Sequence, residues 1–596
     1  MANSPSENSD GALKYSIFAD NEQVVDTSIL ISFEVVYEVN KISTATLEYV
    51  DGDMAKADFL LSNEETFKPG TKLIIKAGYG TEESQIFSGI IIRHRIAIEG
   101  KVGSKLILEC KSCAIAMTVS RHNCNFVKQK DSVIIKALLS NCVGVTADVT
   151  ATTTTYEEMV QFNCTDWDFL LARAEANGFI VCIDDDKVSV KPPTSTSAIL
   201  SVAYGKDLFD FTAEIDARYQ FQTVKSVAWD SNTQKTVSES VASQQINEQG
   251  NLDAATLSDT LSLSEHRLQT TTPLEKGALK DWANAQQIKS ALARIRGNMT
   301  FQGNAKAKIG TAINVLGVGD RFSGDVFVSA VTHQVNNGSW LTKVQFGMSP
   351  AWSAEYRDIV APPASGLVPG VEGLQIGVVQ KLDGDPHEQY RIQVSVPVLE
   401  AETKGIWARL ATFYASSEFG NFFIPEVGDE VVLGYFNNNP CEPVILGSLY
   451  SSARKPAYAI SAENEIKAIV TKNKLKIEFD EQKNAITIET PGENKIVLSD
   501  DGKYILLEDQ NKNKVELSEA GIVLDSPKDI KISAKGKITI EAVGEVAMKS
   551  STADAKVDGL NVTVTAQVGV TVKGSASAEL SASGQTTVKG AIVMIN

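Results

Sequence analysis

The most regular hydrophobic pattern of the chain lies at its C-terminal end. From Ile530 the sequence divides into eights without a gap: IKISAKGK, ITIEAVGE, VAMKSSTA, DAKVDGLN, VTVTAQVG, VTVKGSAS, AELSASGQ and TTVKGAIV. Third positions are Ile532, Ile540, Met548, Lys556, Val564, Val572, Leu580 and Val588, so seven of eight are apolar, and first positions are apolar in six of eight. An apolar–polar–apolar triplet is a strand with one buried face, and the Gly, Ser and Ala that follow allow a tight corner with little bulk. The fourth unit, with Asp554 and Lys556, breaks the pattern, and there Val557 and Leu560 are expected to turn inward.

Strands this short are unstable alone, and a single winding chain leaves both edges of each one unpaired. Stacked repeats bury a continuous core only through neighbours. Three identical chains wound about one axis supply those neighbours, which predicts a homotrimeric, intertwined triple-stranded β-helix with a core of Ile532, Ile540, Met548, Val564, Val572, Leu580 and Val588. If each octad advances by one strand spacing, eight give a stiff rod on the order of 40 Å long. The chain ends in Ile592-Val593-Met594-Ile595-Asn596. Tripled around an axis, Ile592, Val593, Met594 and Ile595 read either as a docking surface for a separate tip protein or as a plug for the prism.

Upstream, residues 474 to 525 alternate less regularly (LKIEF, AITIET, KIVLS, YILLED, KVELS, GIVLD), with turn signals at Pro491-Gly492, Asp501-Gly502 and Gly521. Longer strands imply a wider neck. Before it, IGVVQKL, YRIQVSVPVL, IWARLATFY, FFIPEVGDEVVLGYF and PVILGSLY are five strand patterns separated by turn residues, which suits a small OB-type barrel. From about Lys14 the chain is mostly short strands such as KLIIKAGYG (72–80), IFSGIIIRHRIAI (86–98) and KVSVKPP (187–193). Three helices interrupt them. One spans Asp131 to Asn141, capped by Asp131 or Ser132 and packing Val133, Ile134, Ala137 and Leu138. The next follows a Thr165 cap, packs Phe169, Leu170, Ala172 and Ala176, and stops at Gly178. The third runs from Pro273 to Arg296 with Leu279, Trp282, Ala283, Ile288 and Leu292 along it and Gly297 past its end. A Ser/Gln/Asn-rich stretch (SESVASQQINEQGN) lacks a packing pattern and reads as a loop.

The expected fold is therefore mainly β with minor α: β-barrel hub domains, an OB-fold barrel and the C-terminal triple β-helix. The divisions are 1–12, a disordered N-terminus; 13–360, a β-rich region of two or more subdomains; 361–372, a Pro/Gly/Ser linker; 373–458, the barrel; 459–529, the neck; and 530–596, the octad needle. At 596 residues, roughly three to five domains are anticipated.

Composition narrows the partners. A formal net charge of −18 opposes nucleic-acid phosphates. No apolar run approaches the roughly 20 residues of a membrane helix, and the polar start ANSPSENSDG carries no Sec-type signal, so synthesis in the cytoplasm is expected. Seven cysteines (Cys110, Cys113, Cys124, Cys142, Cys164, Cys182 and Cys441) are read as reduced, with the Cys110/Cys113 pair in LILECKSCAIAM as small hydrophobes rather than zinc ligands. Five scattered histidines (His94, His122, His266, His333 and His387) and the absence of HExxH, GxSxG or P-loop patterns leave no catalytic, metal or cofactor-binding residues to name. Asp184-Asp185-Asp186 between two strands, and Glu426 with Asp429 in PEVGDEV, are read as turn chemistry.

Two segments carry a family likeness. CTDWDFLLARAEANGFIVCIDDDKVSV (164–190) and WARLATFYASSEFGNFFIPEVGDEVVLGYFNNNPCEPVILGSLY (407–450) resemble the VgrG spike proteins of type VI secretion and related contractile injection systems, which look like a phage tail hub fused to a tail needle. The resemblance implies a hub that mates with a hexameric inner tube protein, an OB barrel, a triple β-helix with a PAAR-type tip protein, baseplate proteins and effector cargo as partners, and transient piercing of a target membrane. It also implies assembly in the baseplate and delivery outside the cell or into target cells; with no catalytic motif in the sequence, no enzymatic activity is expected. Some related spikes carry a lysozyme domain or a toxin; here only about 25 residues separate Leu449 from the first strand pattern of the neck, LKIEF. The alternative of another class is a trimeric β-helical adhesin or carbohydrate-active fibre. It predicts aromatic-lined grooves, whereas the octads hold no Trp, Tyr or Phe.

Overall fold

The computed structural model describes the chain except for residues 1–2, 9–10, 25–28, 101–102, 195–196, 231–232, 263, 357–358, 400–404 and 596. It comprises two compact units, Met1–Leu449 and Tyr450–Asn596.

The first unit is built on strands whose apolar residues alternate. In Lys72–Tyr79 and Thr44–Val50 every second residue is buried, placing Leu73, Ile75, Ala77, Ala45, Leu47 and Tyr49 on the inner face of the pleat. These strands belong to a 13-stranded sheet, and together with Phe33, Phe87 and Trp340 they form one of its cores. A second core gathers Phe301, Val315, Val331, Val344 and Phe346.

Among the described residues four α-helices accompany the sheets: α1 (Asp131–Ser140), α2 (Asp166–Ala176), α3 (Ala254–Thr260) and α4 (Lys276–Ala293). The cap of α2 is as expected, since Thr165 accepts a hydrogen bond from the Asp168 amide at 3.0 Å. Gly178, at φ +69°, then ends the helical run. The cap of α1 is different. Lys130 occupies the cap position without a side-chain bond, while Asp131 lies inside the helix, fully buried, and takes a bidentate bond from Arg173 of α2 at 2.7 and 2.8 Å. Tertiary charge pairing has claimed the residue that local capping would use. The packing face of α1 shifts with it to Ile134, Ile135, Leu138 and Leu139, leaving Val133 and Ala137 exposed. In α2 the deepest residues are Trp167, Phe169, Leu170, Leu171 and Ala174, with Ala172 and Ala176 half-buried.

Three further expectations are corrected. Gly297 is not a helix stop: it sits in the strand Ile295–Gln302, where a Cβ would meet the Thr212 carbonyl oxygen at 2.1 Å. Part of the Ser/Gln/Asn-rich stretch is a strand, Lys235–Ala242, because pairing with Thr223–Asp230 and packing of α4 override its composition. The start of the chain is not disordered throughout: Pro5–Asn8 forms a 3₁₀ turn, and buried Ser4 donates to Asp207 at 2.5 Å.

The unit ends in a closed five-stranded barrel of Gln375–Lys381, Ile392–Ser395, Ile406–Leu410, Glu430–Tyr435 and Pro443–Ser448. Val379, Ile392, Val394, Ala408, Val431, Leu433 and Ile445 fill it. Its lip is pinned by Asp385, which accepts from Arg391 at 2.7 Å and from the amides of His387 and Gln389.

The second unit opens with a seven-stranded antiparallel meander from Ile466–Val470 to Gly521–Asp525. Beyond Asp525 none of the described residues belongs to a strand.

Candidate functional site

The octad segment is extended backbone broken by bends at 527–528, 535–536, 543–544, 551–553, 567–568, 575–576, 583–584 and 591–592, a spacing of eight matched to the sequence period. The one irregular stretch falls in the unit with Asp554 and Lys556, where the bend is reduced to a single residue, 560. The side chains between bends are bare. Ile532 is 68% exposed, Val572 83% and Leu580 78%; Ile540, Met548, Val564 and Val588 are likewise exposed, as are Ile592, Val593, Met594 and Ile595 at the end. Such a backbone leaves its N–H and C=O groups to water or to strands from elsewhere.

The meander repeats the situation on a wider scale. Each strand is five residues long, and positions two and four of most are apolar: Ile477 and Phe479, Ile486 and Ile488, Ile496 and Leu498, Ile505 and Leu507. Register stacks them into two rows, with Ile477 opposite Ile488, Ile488 opposite Ile496, and Ile496 opposite Leu507. These rows stand exposed, while the opposite face is knitted by Lys476–Glu489 at 2.9 Å and Lys495–Glu508 at 3.1 Å. The charged face is finished within one chain. The apolar face is not.

The titratable groups of the first unit are occupied in structure. The turn Asp184-Asp185-Asp186 is docked rather than merely solvated: Asp184 pairs with Lys308 at 2.8 Å, Asp186 with Lys72 at 2.6 Å, and the Tyr37 hydroxyl donates to Asp185 at 3.4 Å. Burial, then the neighbouring Asp184 charge, pushes the Asp185 carboxyl up, and burial does the same to the Tyr37 phenol. His333 lines the same small cavity, with Nδ1 on the Thr342 hydroxyl at 3.0 Å, and burial lowers its pKa to about 4. His94 lies between the Ser62 hydroxyl and the Phe67 carbonyl, His122 against Asp166, and His266 stacks on Phe221. Glu426 and Asp429 form the expected turn, with the Glu426 amide donating to Asp429 at 2.8 Å. The seven cysteines are free thiols; burial raises Cys182 to about 12 and Cys110 further, which keeps both protonated. Among the described residues no group of three or more His, Cys, Asp or Glu is arranged to hold a metal, and no helix is long and apolar enough to cross a membrane.

The family model described as the Type VI secretion system/phage-baseplate injector OB domain matches residues 375–450, the closed barrel. The type VI secretion system spike protein VgrG3 of Vibrio cholerae is 36% identical over 59 residues, 10% of this chain and 6% of that protein. VgrG5 of Pseudomonas aeruginosa is 28% identical over 116 residues, 18% of this chain and 14% of that protein. The chain thus aligns with only a small part of the length of these relatives. Among solved structures, the prophage MuSo2 43 kDa tail protein of Shewanella oneidensis covers 57% of this chain and 99% of its own, at 12% identity and a TM-score of 0.41. The resemblance to VgrG spikes is thereby met in the barrel and in matched sequence. The model described as the Alg8 N-terminal domain matches residues 9–337, more than half of the chain, and the protein belongs to that family, with an injector-type OB domain following.

Proposed function

We propose that the chain is one of three identical subunits of the central spike of a contractile injection machine. The first unit serves as hub and adaptor to a hexameric inner tube protein and to baseplate proteins. The meander and octads form the needle, whose core is Ile532, Ile540, Met548, Val564, Val572, Leu580 and Val588. The observation that carries this reading is the exposed, unpaired octad segment with its bend every eight residues. Exposed apolar side chains at this density are unfavourable in water, and two further copies would cover them while pairing the free backbone.

The remaining assignments follow from that arrangement. The apolar end, Ile592 to Ile595, is a seat for a PAAR-type tip protein. Effector cargo travels with the spike, and sheath contraction drives it through a target membrane. The role is mechanical rather than enzymatic, a reading supported by the extended, period-eight shaft, and it calls for no cofactor and no nucleic acid. The protein is made in the cytoplasm and assembled in the machine.

The test is the native mass of the purified full-length protein, with and without SDS before heating. Three copies resistant to detergent are expected. A monomer whose residues 530–596 are ordered overturns the reading.

A further inference from the structure

Between the barrel strands Ile406–Leu410 and Glu430–Tyr435 the chain makes a long excursion, 411–429. It is not slack. Ala415 bridges Gly420, the Ser416 amide donates to the Phe419 carbonyl at 3.0 Å, the Asn421 amide donates to the Tyr414 carbonyl at 2.8 Å, and Asn421 Nδ2 donates to the Thr412 hydroxyl at 3.0 Å. Gly420 has φ +146°, and a Cβ there would lie 2.7 Å from the Tyr414 carbonyl oxygen, so the tip requires glycine. These bonds make a small hairpin whose register sets Phe413 across from Phe422, one step beyond the Tyr414/Asn421 pair.

What the hairpin carries is unusual for a surface loop. Phe413 is 89% exposed, Phe422 87%, Phe419 60%, Phe423 59% and Tyr414 54%. None of them enters the barrel core, which is already filled. Tyr414 and Phe419 rest on each other, with ring centroids 5.9 Å apart. At roughly 200 Å² per ring these exposures leave on the order of 700 Å² of aromatic surface in water. Spread over the two faces of the hairpin, it is close to the roughly 800 Å² one side of a stable interface covers.

We propose that this hairpin is an arm that clasps the barrel of the neighbouring copy in the trimer, an assignment that rests on the three-copy reading above. Two observations favour a second copy over a lipid surface. The segment 411–428 contains no Lys or Arg and carries Glu418 and Glu426, a charge that anionic headgroups repel. The outer wall of the same barrel offers apolar ground to receive it, with Ile376, Phe436 and Leu446 each between 41% and 52% exposed. Arm on one copy and wall on the next is a head-to-tail contact, which closes into a ring of three without leaving an arm unplaced.

The experiment places the photoreactive amino acid p-benzoylphenylalanine at Phe413, and separately at Phe422, in the full-length chain. Both positions are exposed, so the substitution leaves the barrel core untouched. Met54, 95% exposed on the hub, is the control position. After irradiation the two arm positions are expected to yield covalent dimers and trimers on a denaturing gel, with cross-linked peptides from the barrel wall of another copy, and Met54 is expected to yield none. A three-copy mass with arm cross-links absent or confined to one chain overturns the arm while leaving the trimer standing. A monomeric mass with no intermolecular product overturns both. Adducts formed with the lipid of added phosphatidylcholine vesicles in preference to protein would also overturn the proposal.

Discussion

Lys72–Tyr79 in the first unit and Lys476–Asp480 in the meander both set apolar residues at every second position of one face, yet they end differently. Leu73 and Ile75 are fully buried, whereas Ile477 and Phe479 are exposed. The difference is not propensity, because both are antiparallel strands paired on both sides. It is the second layer. The first unit brings Phe67 from outside the sheet, and Phe33 and Trp340 from distant strands, into the core that holds Leu73 and Ile75, while the meander strands follow one another in sequence order. Alternation specifies that a face will be buried; it does not specify by whom.

The comparison is broken most severely by charging the bare face. Ile532→Asp with Ile540→Asp places carboxylates where the proposed needle is driest, and complete loss of the three-copy species on sizing with light scattering is expected, with hub unfolding unchanged. If the double variant keeps its mass, the octads do not hold the assembly.

The next effect belongs to the self-sufficient unit. Asp131→Ala strands the Arg173 guanidinium among buried groups, since it loses both carboxylate bonds. Removing one partner of such a pair costs about 3 kcal/mol or more. Denaturant titration of the hub transition should show it while the copy number stays the same.

A pH titration sharpens the contrast further. His333 is buried neutral, its pKa lowered to about 4 from the ordinary 6.5. Above about pH 6.5 neither state is charged and the hub has its full stability. As pH falls from 6.5 towards 4, the unfolded chain takes up a proton that the folded hub refuses, and stability declines by about 3 kcal/mol over that window. His333→Gln should flatten this part of the profile relative to the parent.

The smallest effect is expected in a turn of the meander. Lys512 pairs with Glu493 and Glu508 at 3.3 Å but is open to water, so Lys512→Ala should leave both mass and melting midpoint unmoved.

How far each element could be read from the chain follows the same division. The octad period, the five barrel strands and the capped helix after Thr165 were legible because their signals are local: a repeat, a turn spacing, a hydroxyl three residues before an amide. The start of α1 was not, because Asp131 is claimed by Arg173, 42 residues away. The strand Lys235–Ala242 was hidden by its polar composition, and only the partner strand and α4 make it one. In the segment 407–450 the family likeness was visible, but the clustering of Phe413, Tyr414, Phe419, Phe422 and Phe423 on an outward hairpin became apparent only once the barrel was seen to be full without them.

By itself the sequence determined where strands begin and turn, which positions along them are apolar, and that the last eight units share one period. Those are properties of neighbouring residues and of the pleat, and they hold whatever the chain meets. Only the tertiary structure decided which apolar faces the molecule covers for itself and which it leaves open. Coverage depends on whether distant segments return to the same place, and no residue records that locally.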